Sequence, residues 1–576
     1  MHYVQYAMQK ALKVAEAWQS KHDLQFAPGK TVAMLCTRKI KYDKPAKLTL
    51  NGLEVDYKTQ HKHLGVYLNN KLDPSYHLDQ KVKEGKAVAV RLASRMGKIW
   101  GLTPEMARWI YRMVIRPIII YASLIWFKAV FIGKNRKKLE DVQKFSLMQL
   151  GYCRAKTPRA AIEVISNQIP LDLYVMYDAT CSYIRTRGHE KFTADEMSTK
   201  IQAHKGHRQL LVEYAKENGF DHLLLPQVDN MSRRFNLDRG YVIDKFSYDN
   251  ENPKKGVPNL NHDCNIYTDG SRLGAYRSGA AFSVWKRHNQ YGHPIERPIP
   301  NHDRTSFYLE DATIFQCEVF AVGRAASWLT EHATDFEIKT ACINVDSQAA
   351  IKALLSPKIN QKLVYHVVQL LNEAASQLDK LTIRWVKAHV DDSALHRGNA
   401  FADAAAKQGA AAVDIECLVH PDDLPLRSLG SLKTELYPFF TKLWETRWIE
   451  NLLDQPKCKP TKLWFPKLNT KLSYQLISGR SRYEYSVLLH ALTGHNHLAY
   501  HEHKINNQIS PICTICKDPD SKMTTEHLFT ECEALASLRL QIFGVHNPET
   551  PFTLTVDQIT LFLRETNVGW LPANEG

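Results

Sequence analysis

The stretch Ile266-Tyr267-Thr268-Asp269-Gly270-Ser271 (IYTDGS) decides how the middle of this 576-residue chain is read. Asp-Gly is among the commonest turn dipeptides, because both residues tolerate positive φ. On these six letters alone, Asp269 reads as a turn residue after a short strand. The other reading makes it a carboxylate delivered by the strand to hold a metal, with Gly270 turning the chain just behind it.

Two polar, proline-containing stretches of linker composition bracket the surrounding region, DNENPKKGVPNLNHD (249–263) and VHPDDLPLRSLG (419–430). Between them, NIYTDG and SGAAFSVWK read as strands, with a third near TSFYLE. TIFQCEVFAVGRAASWLTEH then reads as a helix, ACINVD as a strand and SQAAIKALL as a helix. LTIRWVKAH reads as a strand and GNAFADAAAKQGA as a closing helix. A strand meander followed by alternation indicates a mixed α/β sheet.

Four acids stand at informative places in this pattern. Asp269 lies in the C-terminal part of a strand. Glu318 shares a helical stripe with Ala321, Val322, Ala325 and Leu329. An ionised carboxylate there is costly unless a cation or metal compensates it. Asp346 ends the strand ACINV, where helix capping would explain an Asp-Ser junction. Asp403 sits in an alanine-rich helix, where a solvated face is the simple explanation. Each acid taken alone has an ordinary structural account; the four in sequence do not.

YTDGS, helical CEVFA, strand-terminal VDSQAA and KAHV…GNAFAD, in that order, resemble the type 1 ribonuclease H domain over residues 262–410. The resemblance implies a mixed five-stranded sheet with helices, and an active site of Asp269, Glu318, Asp346 and Asp403. It implies metal-dependent cutting of the RNA strand of RNA–DNA hybrids. It also implies that His389 assists proton transfer or product release. Ala400 departs from the family pattern, which has glutamate there, while Asn399, Ala402 and Asp403 match.

Phosphodiester cleavage needs an activated water, a stabilised pentacovalent phosphorus and a neutralised leaving oxygen. Two divalent ions roughly 3.5–4 Å apart supply all three. Hard oxygen ligands select Mg²⁺, with Mn²⁺ as a substitute, over zinc. Carboxylates about 4 Å apart repel by roughly 4 kcal/mol per pair at an effective dielectric of about 20, so the cluster calls for a cation.

Ahead of the acids, TVAMLC (31–36), KLTLNGLEV (47–55, with Asn51-Gly52 as a hairpin turn) and KHLGVYL (62–68) read as short strands, and 77–150 as helices with basic runs. The flanks also carry a second resemblance. DLQFAPGKTVAMLCTR, the Lys62-His63-Leu64-Gly65-Val66 stretch and Arg116-Pro117 through Trp126 resemble the palm end and thumb of reverse transcriptases from jockey-type non-LTR retrotransposons, over residues 1–175. The Tyr-x-Asp-Asp strand of those enzymes is not found. The Asp-Asp pairs are Asp391-Asp392 and Asp422-Asp423, and no polymerase activity is expected. Residues 176–261 read as a helical connection and linker, and 411–576 as a helical C-terminal region. In that region Cys513-x₂-Cys516-x₁₀-His527-x₄-Cys532 has end spacings that suit a structural tetrahedral zinc site. With Leu492-Thr493-Gly494-His495 before it, the motif resembles the cysteine-rich C-terminal motif of the same retrotransposons.

The excess of 75 Lys+Arg over 60 Asp+Glu favours a polyanionic partner, nucleic acid before membrane. PIIIYASLIWF (117–127) is far short of the roughly 20 residues of a membrane span. No secretory signal opens the chain, and the 11 cysteines are dispersed apart from 513, 516 and 532. An intracellular location, nuclear or cytoplasmic, is therefore expected. The expected substrate, an RNA–DNA hybrid, would be read through its backbone and 2′-OH, with binding that weakens in salt. The alternative is a non-catalytic nucleic-acid-binding remnant of a retrotransposon, which should have lost at least one carboxylate. A dedicated host ribonuclease H fits the flanks least.

Overall fold

The computed structural model describes residues 2–570, apart from 28–29, 38–46, 99, 188–206, 225–227, 232, 249–254, 275–276, 292, 303, 389–395, 413–426, 451–457, 549–553, 567 and 569. The chain forms two compact units, Met1–Thr180 with Pro438–Gly576, and Cys181–Tyr437. Of the four consecutive stretches read from the sequence, the first and last thus fall largely in one unit. Most of the connection joins the stretch that carries the acids.

The unit Cys181–Tyr437 is built on one sheet. Its strands are β1 (Val242–Asp244), β2 (Cys264–Leu273), β3 (Arg277–Gln290), β4 (His293–Pro298), β5 (Thr305–Glu310), β6 (Thr340–Val345) and β7 (Lys380–Trp385). From β3 the order runs β3-β2-β6-β7-β1. Strands β2, β6, β7 and β1 are parallel, and β3 runs antiparallel to β2. Both β4 and β5 pair with the other flank of β3, one at each end of this 14-residue strand. Four helices accompany the sheet: α1 (Ile314–His332), α2 (Gln348–Leu355), α3 (Lys362–Ser376) and α4 (Arg397–Ala411).

This is the mixed ribonuclease H-like sheet expected from the sequence, enlarged from five strands to seven. β1 comes from the segment read as a helical connection, and its three residues are too few and too exposed to show a period. An ion pair between Arg384 on β7 and Asp244 on β1 ties the two strands. The sequence reading also passes over α3, although Leu363, Val364, Val367, Val368, Leu371 and Ala374 are buried at helical spacing.

Alternation along β2 explains the layers. Ile266 faces a core shared with Phe282, Ile343, Ile383, Phe320 of α1 and Val367 of α3. Tyr267 faces the other way, into a smaller cluster with Trp285 and Ala402 of α4. α4 lies unusually close to the sheet: a Cβ at Gly279 would stand 2.2 Å from the Ala406 carbonyl oxygen. Its small residues permit that approach, and the approach sets where Asp403 falls.

In the other unit, the N-terminal helix His2–Lys21 is followed by short hairpins. Asn51 and Gly52 form the expected tight turn, both at positive φ. The stretch KHLGVYL, read as one strand, is instead a hairpin of Gln60–His63 and Val66–Asn69. Leu64 and Gly65 both take positive φ between them, which no strand sustains. The basic runs lie on helices Pro74–Ala93 and Gly133–Leu147. Within the apolar 117–127 stretch Ile119, Trp126 and Phe127 are buried. Among the described residues no single helix is long and apolar enough to cross a membrane.

Candidate active site and metal centres

Three elements converge on Asp269. Val345 at the end of β6 pairs in parallel register with Thr268, so Asp346, just past β6, and Asp269, within β2, stand side by side. α1 crosses β2 and contributes Glu318. The carboxylates of Asp269, Glu318 and Asp346 offer oxygens that all lie within 4.8 Å of one another. Asp269 and Glu318 are each only 6% exposed. The ordinary explanation for Asp346, helix capping, falls to its neighbour: the Ser347 hydroxyl accepts from the Ala350 amide.

The sequence expectation for Gly270 requires correction. β2 continues unbroken through Asp269 and Gly270 to Leu273, and the chain leaves it at Gly274, whose φ is +71°. Gly270 is not a turn residue. A Cβ there would stand 2.8 Å from the Glu318 nitrogen and 2.9 Å from Cys317 Cβ. The missing side chain is what lets α1 lie close enough to bring Glu318 to Asp269.

Asp403 approaches from α4, outside the 4.8 Å set but near enough to raise the Asp269 carboxyl. Its Oδ2 accepts from Lys407 Nζ at 2.7 Å, one helical turn on. Lys407 escapes the sequence reading, although its i,i+4 spacing from Asp403 is legible there. His389 lies outside the described residues, as do the pairs Asp391-Asp392 and Asp422-Asp423.

The cluster is electrostatically unbalanced. Burial, then Asp346 and Asp403, push the Asp269 carboxyl up to about 8. Burial, then Asp346 and Asp269, push Glu318 up to about 10. The Gly270 amide opposes both shifts in part. Glu318 Oε2 is fully buried and has no hydrogen-bond partner. A buried acceptor normally finds one, so the orphaned oxygen fits a divalent cation held by hard oxygen donors.

Residues 261–411 match the family description RNase H. The chain carries a ribonuclease H domain. Two similar proteins are Retrovirus-related Pol polyproteins of type-1 retrotransposable elements. That of element R1 from Bradysia coprophila is 22% identical over 165 residues, 28% of this chain and 16% of that protein. That of element R1 4 from Nasonia vitripennis is 26% identical over 144 residues, 24% of this chain and 35% of that protein. The chain thus spans about a sixth of the first relative's length and about a third of the second's. Among solved structures, RNase H1 from Halobacterium salinarum is 19% identical over 25% of this chain and 96% of that one, with a TM-score of 0.19.

Outside the ribonuclease H domain, the fold gathers Cys513, Cys516, His527 and Cys532, whose ligand atoms also lie within 4.8 Å of one another. An antiparallel bridge between Ile512 and Lys522 closes the loop carrying the first two cysteines. Helix Thr525–Thr530 supplies His527, with Thr524 as its cap. His527 turns Nε2 to Cys516 Sγ at 3.5 Å and Nδ1 to Glu531 at 3.4 Å. A carboxylate behind a ligating imidazole is the usual arrangement for orienting it toward a metal. Burial, then the neighbouring thiols Cys513 and Cys516, push Cys532 up to about 12. A soft dication would relieve that crowding by taking the thiolates as ligands.

Proposed function

We propose that this chain is a metal-dependent endoribonuclease that cuts the RNA strand of RNA–DNA hybrids, in a protein of retrotransposon origin. The observation that carries this reading is the convergence of Asp269, Glu318 and Asp346, with one Glu318 oxygen buried and unsatisfied. These three would hold Mg²⁺ or Mn²⁺, and Asp403 would complete the set beside Asp269. When bound, such ions activate water and stabilise charge on the phosphoryl and leaving oxygens.

The chain's own residues do the positioning. The parallel register of β2 and β6 sets two carboxylates side by side, and Gly270 admits the helix that brings the third. α4 carries Asp403 toward Asp269, paired with Lys407. The Cys513, Cys516, His527 and Cys532 set would hold Zn²⁺ as a structural ion, since all four ligand places are filled by protein.

The test is hybrid cleavage in Mg²⁺ by the full chain and by Asp269→Asn. Cleavage by the wild type and its loss in the variant are expected. No cleavage by the wild type would overturn the enzymatic reading, and equal activity in Asp269→Asn would overturn the site.

A further inference from the structure

The unit of Met1–Thr180 with Pro438–Gly576 carries an open cavity of about 1000 Å³ that the nuclease reading does not use. Its walls come from the segments 148–156 and 493–505, with Pro460 between them. No carboxylate is among its lining residues, whereas Arg154, Lys156 and Lys504 are. Lys156 and Lys504 are exposed, at its rim. Tyr152, His495, His497 and His501 are half-buried in its walls.

The rings and the guanidinium are held in a built arrangement. His495 and His501 lie 4.9 Å apart, centroid to centroid. Behind the wall, the fully buried His490 lies 5.5 Å from Tyr152 and 5.8 Å from His497. Its Nδ1 meets the Ser486 carbonyl at 2.8 Å, and its Nε2 is buried without a partner. Arg154 is fastened to Glu502 and to His497 Nδ1, the latter at 2.7 Å. Glu502 therefore neutralises Arg154, and the two rim lysines supply the uncompensated charge. Burial, then the nearby His495 and Arg154, push His501 down to about 4, so its ring is neutral at neutral pH.

Cationic rims with flat aromatic rings between them match one ligand chemistry well: a phosphate joined to a planar base. An acidic peptide would favour a guanidinium free of carboxylates, and Arg154 is already paired with Glu502. The volume is at the upper end of the about 300–1,000 Å³ of small-molecule pockets, enough for a nucleotide. We propose that this cavity binds a nucleotide, its phosphate on Lys156 and Lys504 and its base against the rings of His495 and His501.

The test uses the full zinc-loaded chain without added Mg²⁺ and a short labelled single-stranded RNA carrying 4-thiouridine. Lys156→Glu/Lys504→Glu should weaken binding by about tenfold or more. Lys10→Glu/Lys13→Glu, with the same charge change on an exposed helix elsewhere, should weaken it far less. Photo-crosslinks should map to 148–156 or 493–505. Competition by adenosine monophosphate would make free nucleotides the source, and competition by strands alone would make it a single strand. Equal weakening by the two double variants, crosslinks confined to other segments, or no binding at all would overturn the proposal.

Discussion

The backbone nitrogen of Glu318 lies 2.8 Å from where a Cβ on residue 270 would stand. Gly270 and Glu318 are thus packed against each other with no room for a methyl group, and the carboxylate cluster depends on that contact.

Gly270→Ala should therefore push α1 away from β2. Overpacking of this kind typically costs about 1–3 kcal/mol. Hybrid cleavage should fall by about tenfold or more, since misplacing one ligand by an ångström is that costly. Calorimetry together with a cleavage assay measures both; an alanine variant with wild-type melting and activity would contradict the packing argument.

Metal-free stability should fall as pH rises. Asp269 is raised from 3.8 to about 8 and Glu318 from 4.5 to about 10. The folded state therefore binds more protons than the unfolded one above about pH 4, and stability is lost as pH climbs through the folded values. A divalent cation takes the place of those protons. The rise in Tm on adding Mg²⁺ should be larger at pH 8 than at pH 5, and Asp269→Asn should flatten the metal-free slope. A Tm increment independent of pH would sink this account.

Lys407 competes with a cation for Asp403. The pair is on the surface, with Lys407 59% exposed, so its effect should be small. Lys407→Ala should lower the Mg²⁺ concentration for half-maximal cleavage by about two- to fivefold, the equivalent of up to about 1 kcal/mol. A titration of activity against Mg²⁺ checks it, and an increase in the Mg²⁺ requirement would show that Lys407 supports the site instead.

The purified chain should carry one zinc per molecule, by elemental analysis. Cys513→Ser should lose it and melt at a lower temperature, because structural zinc stabilises the fold by several kcal/mol or more. Retention of zinc by this variant would mean that Cys513 is not a ligand.

Most of the nuclease sheet was legible because its elements carry strong local signals. α1 has a capping box of Thr313 and Gln316 and a wide apolar stripe, and β2, β3 and β6 are rich in buried apolar residues. β1 was not legible, since three residues paired at an edge leave no period to detect. The 60–69 hairpin was misread because a leucine occupies a positive-φ position where glycine or asparagine is the usual signal. Ser347 was overlooked as a cap because the aspartate before it offers the same chemistry.

The sequence by itself determined which residues carry chemistry here: four acids and a Cys-Cys-His-Cys set, in an order and spacing that ordinary structural roles do not require. Only the tertiary structure decided that Asp269, Glu318 and Asp346 share one buried point, because strand register and helix approach are not local properties of the chain. It also decided the role of Gly270. In IYTDGS the glycine looks like a bend in the chain, but its φ is not positive and the strand runs straight through it. The residue has no side chain because a helix, 48 positions further on at Glu318, occupies the space.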